Sequence, residues 1–143
     1  MKFVLAILLL LAVVTATQLN IKNNCGNAID VVRTENGVQP VVHCRLAPGK
    51  SCGASFGGGR GMNFKNGFGG KTLAEFSFGN RDGNDYYDLS VIVGYDVGMR
   101  LQSRDRTLNC FQPRCPDAYL FPNDNSKNHG IKTGGAFTLT FCK

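Results

Sequence analysis

The sequence predicts an all-β domain cross-linked by disulfides, and three observations carry that expectation. Apolar and polar residues alternate with the period of half-buried strands in Tyr87-Asp88-Leu89-Ser90-Val91 and in Phe137-Thr138-Leu139-Thr140-Phe141. Turn formers punctuate the chain: it has 18 glycines, and Asn36-Gly37, Pro48-Gly49, Asn66-Gly67, Asp82-Gly83 and Pro122-Asn123-Asp124 fall between apolar runs. Six cysteines stand in a chain whose beginning has the layout of an export leader, so three disulfides are expected.

The leader comes first. Lys2 precedes an unbroken apolar run over residues 3–14, and the small residues Thr15, Ala16 and Thr17 come next. Cleavage after Ala16 is expected, which makes residues 1–16 a signal peptide and 17–143 a single domain. The run is shorter than the roughly 20 apolar residues a membrane-spanning helix needs, and no later segment is as apolar. A secreted, extracellular protein without a transmembrane segment is the result. Further strands are expected over residues 19–23, 29–34, 38–43, 72–78 and 118–121. Several short strands at this spacing suggest a sandwich or barrel, not a parallel sheet with crossover helices. Gly57-Gly58-Gly59-Arg60-Gly61 lacks the Lys-Ser/Thr of a phosphate loop and no helical pattern comes after it, so it reads as a connector.

Charge and composition exclude several functions. The chain has 16 Lys and Arg against 10 Asp and Glu, with Lys2 inside the leader. The bases are scattered; the one local group, Arg100, Arg104, Arg106 and Arg114, is broken by Asp105 and has no aromatic platform, so no nucleic-acid partner is expected. His43 beside Cys44, and His129 further on, raise a zinc site. The cysteines form no Cys-x2-Cys knuckle, however, and exported thiols oxidise, so no metal or cofactor is expected. Half of the acids, Glu75, Asp82, Asp85, Asp88 and Asp96, share one stretch in which only Arg81 opposes them. Strand periodicity sets Glu75 with Leu73 and Ser77 opposite Phe76 and Phe78, and Asp88 opposite Tyr87, Leu89 and Val91. Burial of the apolar faces then turns both acids outward on nearby strands. Neither histidine lies in a nucleophile motif, so the remaining chemistry is that of a carboxylate pair, as in glycoside hydrolysis.

Thr72-Leu73-Ala74-Glu75-Phe76, Tyr87-Asp88-Leu89-Ser90 and Gly94-Tyr95-Asp96-Val97-Gly98-Met99 together resemble the central signature of thaumatin-like proteins. Cys115-Pro116-Asp117-Ala118-Tyr119, with Pro122 and Asp124 behind it, resembles their second signature, and Asn24-Cys25-Gly26 and Phe141-Cys142 resemble the family's two ends. The resemblance implies a flattened, jelly-roll-like β-sandwich. Residues 99–115 are too few to hold the cysteine-rich second domain of full-length members, which implies the short form. It also implies the bridges Cys25–Cys142 and Cys110–Cys115, leaving Cys44 with Cys52. The family's acidic cleft maps Glu75, Asp88 and Asp124 onto three of its acids and Val93 onto a fourth; Arg60, and after it Lys65, stands nearest its arginine, and Asp96 is an adjacent acid. In function, the resemblance implies a monomeric pathogenesis-related protein, antifungal or active between host and microbe, that binds β-1,3-glucan or another cell-wall polysaccharide. The alternatives are a weak endo-β-1,3-glucanase, with Glu75 as general acid and Asp88 as second carboxylate, and an inhibitor of a secreted glycosidase.

Overall fold

In the computed structural model, residues 15–143 are described; the expected leader over 1–16 lies almost wholly outside the described residues. Within them the chain forms β1 (Thr17–Asn23), β2 (Ile29–Glu35), β3 (Val38–Leu46), β4 (Ser51–Phe56), β5 (Gly61–Asn66), β6 (Leu73–Ser77) and β7 (Asn84–Ser90). Then come β8 (Met99–Gln102), β9 (Thr107–Cys110), β10 (Ala118–Tyr119), a 3-10 turn at Asn125–Lys127, β11 (His129–Lys132) and β12 (Ala136–Phe141). One sheet has the order β4-β1-β12-β8-β9; the larger runs β10-β7-β6-β5-β2-β3, with β11 also paired to β7. Among the described residues no helix is long and apolar enough to cross a membrane.

Alternation builds the core. β1 turns Leu19 and Ile21 inward and β12 turns Phe137, Leu139 and Phe141 to meet Phe64, Phe76, Tyr87 and Leu89 of the larger sheet, all of them buried. Phe76 and Phe78 stack at 4.8 Å between ring centroids, and Phe137 meets Tyr87 edge-on at 4.9 Å across the sandwich. The alternating faces expected for 72–78 and 87–91 are as found: Phe76, Phe78, Tyr87, Leu89 and Val91 are buried, while Leu73, Glu75, Ser77 and Asp88 are half-buried on the other side. The strand expected over 118–121 ends at Tyr119, because Asp124 donates its N–H to the Phe121 carbonyl and draws the chain into a turn. Five strands were not expected: β4, β5, β8, β9 and β11, each of six residues or fewer.

The two end strands are neighbours. β1 and β12 pair in parallel, from Gln18 opposite Ala136 to Asn23 opposite Phe141. The Cys25–Cys142 disulfide sits directly beyond that ladder, while Cys44–Cys52 joins edge strands of the two sheets and Cys110–Cys115 closes the loop behind β9. A second fastening is Asp85, fully buried on β7. It accepts hydrogen bonds from Thr17 Oγ1 of β1 at 2.5 Å, the Gly79 N–H at 2.7 Å and Thr133 Oγ1 at 2.9 Å. A buried carboxylate is tolerated when donors surround it in this way. Gly79 has φ 65°, and a Cβ there would lie 2.9 Å from the Gly58 nitrogen, so this turn requires glycine.

Removing the Asp85 acceptor strands three donors. Asp85→Ala should lower stability by about 3 kcal/mol or more, read in urea unfolding at neutral pH, with Asp85→Asn intermediate. Joint replacement of Cys25 and Cys142 by Ala, which opens a loop of 117 residues, should cost about 4–5 kcal/mol on the loop-entropy estimate, read as a lower urea midpoint.

Candidate functional site

The core fixes where the acids go. With Phe76 and Tyr87 inside, the β6–β7 register sets Glu75 directly opposite Asp88 on the outer face of the larger sheet. Carboxyl-bearing residues opposite each other on neighbouring strands have Cβ atoms about 4.5–5.5 Å apart, close enough for their side chains to interact. Asn63 of β5 is the partner of Glu75 on its other side, and Thr34 of β2 is the partner of Asn63. The acids line a cavity of about 260 Å³ together with Ser77, Tyr86, Tyr119 and Asn128.

Burial pushes the Asp88 carboxyl up to about 8, and the negative charge of Glu75 and a hydrogen bond with it add to the effect. Near neutral pH Asp88 therefore keeps its proton. Asp88 Oδ1 is buried and has no hydrogen-bond partner. Tyr119 of β10 lines the same cavity. Its phenol is raised by burial and then by the charges of Asp88, Glu75 and Asp124, so it stays a hydroxyl donor in the midst of three acids. Asp124 precedes the 3-10 turn and accepts weakly, at 3.5 Å, from the Leu120 N–H.

Other residues named from the sequence lie elsewhere. Arg60 is exposed, and its Nε lies 2.9 Å from the Glu35 carboxylate, which Arg33 also approaches at 3.9 Å. The charge acting on Asp88 is that of Glu75 and not of a cation. Asp96 accepts from the Lys71 and Thr72 backbone N–H groups at 2.8 and 2.7 Å, while Thr72 Oγ1 accepts in return from the Asp96 and Val97 N–H groups. That reciprocal clamp fastens the loop behind β7 to the start of β6. Val93 is exposed in the same loop, and Lys65 of β5 lies opposite Val32. His43 lies close to Cys44 and Cys52, but their sulfurs are joined to each other and offer no thiolates. Tyr119 was not singled out from the sequence, although it closes the Cys115-Pro116-Asp117-Ala118-Tyr119 run.

Two facing sheets, three disulfides and a carboxyl pair on the outer face of the larger sheet define a small disulfide-linked β-sandwich with an acidic surface site. No family model matches the chain. A thaumatin-like protein of Oryza sativa subsp. japonica is 49% identical over 72 residues, which are 50% of this chain and 40% of the rice protein. Pathogenesis-related protein 1A/1B of Hordeum vulgare is 32% identical over an alignment that covers 90% of this chain and 89% of the barley protein. Thaumatin-like protein PWIR2 of Triticum aestivum is 31% identical at the same coverage. The chain belongs to the thaumatin-like family. Among solved structures, the thaumatin-like xylanase inhibitor TLXI aligns with a TM-score of 0.69 at 18% identity, over 87% of this chain and 99% of the inhibitor. The protein elicitor MoHrip2 from Magnaporthe oryzae aligns at 0.64 and 19% identity, over 90% and 100%.

The raised Asp88 carboxyl fixes the sign of a pH effect. The folded state holds a proton that the unfolded chain releases around 3.8, so this contribution to stability is complete below that value and is lost as pH climbs to about 8. Asp88→Asn should gain stability relative to the wild type as pH rises across that window, read as the difference between their urea midpoints at each pH.

Proposed function

We propose that this protein is a non-catalytic binder of cell-wall polysaccharide, β-1,3-glucan foremost, acting outside the cell in a defence-type role after removal of residues 1–16. Three disulfides and the pathogenesis-related relatives support the extracellular setting. The observation that carries the reading is the direct cross-strand pairing of Glu75 with Asp88 on one face of the larger sheet. Hydrolysis by two carboxyls needs them about 5–5.5 Å apart for retention or about 6.5–9.5 Å for inversion, one on either side of the glycosidic bond. Glu75 and Asp88 stand side by side on one sheet face and approach a sugar from one side. Such a pair suits recognition. Glu75 accepts from a sugar hydroxyl, Tyr119 donates to one, and the half-buried rings of Tyr86 and Tyr119 offer faces for a pyranose to stack on. Asp124, whose charge also acts on the Tyr119 phenol, adds a further acceptor.

A second reading is inhibition of a secreted glycosidase. The fold shared with the xylanase inhibitor supports it, as do the exposed Phe68, Val93 and Phe121, at 61%, 67% and 51% exposure, which suit contact with another protein.

Pull-down on insoluble β-1,3-glucan separates these readings. Glu75→Gln should weaken binding about 10-fold, the worth of a hydrogen bond to a charged group. Asp88→Asn should weaken it less, since the amide still donates, and neither change should lower the melting temperature. If the double variant binds like wild type, the site is misplaced. Release of reducing ends from laminarin at enzymatic rates, lost in the double variant, would establish a glucanase instead. A stable complex with a xylanase or glucanase, in the absence of glucan binding, selects the inhibitor.

A further inference from the structure

Asp85 is fully buried on β7, and both of its carboxyl oxygens accept: Oδ2 from Thr17 Oγ1, Oδ1 from the Gly79 N–H and from Thr133 Oγ1. The direction of these bonds is fixed. Thr17 Oγ1 itself accepts from the Gly134 N–H, so its proton points at Asp85; donors alone surround the group, which is the setting of a carboxylate. Buried charges are ordinarily paired with an opposite charge. Among the described residues the ion pairs are Arg33–Glu35, Arg45–Asp30 and Arg60–Glu35, and Asp85 is in none of them. Its cage holds hydrogen-bond donors but no counter-ion among those residues.

The cut expected between Ala16 and Thr17 falls at this cage. Ala16 is exposed and Thr17 is fully buried, so burial begins at the first residue after the cut. Hydrolysis of that peptide bond consumes one water and leaves a carboxylate on Ala16 and a protonated amine on Thr17. The nitrogen of a threonine lies about 3–4 Å from its own hydroxyl oxygen in any staggered rotamer. With the hydroxyl 2.5 Å from Asp85, the new charge is about 6 Å at most from the carboxylate, within the range at which opposite charges stabilise each other. Gln18 gives its N–H to the Gly135 carbonyl, so the Thr17 nitrogen faces β4, where Phe56 is its partner. An ammonium has three N–H bonds and serves both neighbours.

We propose that removal of residues 1–16 supplies the missing counter-ion: the α-ammonium of Thr17 pairs with Asp85 and fastens the first strand of the smaller sheet to β7 of the larger one. This rests on the processed, extracellular setting proposed above and not on the polysaccharide site. While the leader is attached, position 17 offers only a neutral amide and Asp85 lacks its partner. The sandwich therefore reaches full stability only in the processed chain.

Two forms of the protein test the pairing: one that begins at Thr17 and one that keeps Thr15 and Ala16, which the fold accommodates as exposed residues. The form beginning at Thr17 should have an unfolding equilibrium constant about 10-fold smaller, read from urea unfolding at pH 7, and Asp85→Asn should erase that difference. The Thr17 α-amine should also acetylate about 10-fold more slowly at pH 7 than the amine of a free peptide of residues 17–24, read by mass spectrometry. That second measurement needs no variant. Equal stability of the two forms, or a difference that survives Asp85→Asn, overturns the pairing, as does an amine that reacts as fast as the peptide's. A first residue other than Thr17, found by N-terminal sequencing of the exported protein, removes the inference too. None of these results bears on glucan pull-down, so failure here and failure of the polysaccharide reading are told apart.

Discussion

Strand periodicity couples the surface site to the core. β6 and β7 turn Phe76, Tyr87 and Leu89 into the sandwich, where Phe137 of the opposite sheet packs against them. A period of two then leaves Glu75 and Asp88 on the outer face. A slip of one residue would bury the acids and expose the rings, so the register cannot relax without loss of the core. Like charges directly opposite each other are normally unfavourable in a sheet. Here the rings dictate the pairing, and Asp88 answers by keeping its proton near neutral pH.

That retained proton changes the character of the surface. Two free carboxylates would form a strong anionic focus. A protonated Asp88 beside Glu75, in a cavity that Tyr119 also lines, is instead a compact set of donors and acceptors. The nearest cation named from the sequence does not soften it, because Glu35 is only 11% exposed and holds Arg60 in an ion pair of its own. Asp96, another acid of the same stretch, is spent on backbone N–H groups and serves the loop.

The sequence disclosed local rules well and non-local ones poorly. Alternation placed Glu75 and Asp88 outward, and the two signature runs carried the family and its sandwich. The period of two could not say that Glu75 and Asp88 are direct partners, since that depends on the turn geometry and the packing of β6 on β7. Thr34 and Asn63 gave no signal at all. They are ordinary polar residues until β2, β5 and β6 line up, 29 residues apart in one case and 12 in the other by chain number. Arg60 and Asp96 were near the acids in sequence, and the fold engages both elsewhere. β4, β5, β8, β9 and β11 escaped notice because strands this short have room for only two or three inward residues, too few for a pattern to stand out.

The parallel ladder between β1 and β12 bears on how the chain comes to be folded. β12 is the middle strand of the five-stranded sheet, flanked by β1 and β8, and comes last among the described strands in chain order. Without β12, β1 keeps only β4 beside it and the smaller sheet has no centre. The smaller sheet therefore cannot be completed in chain order before β12 joins it. Leu19 and Ile21 meet their cross-strand partners Phe137 and Leu139 only then, so the core is closed by residues from opposite ends of the domain.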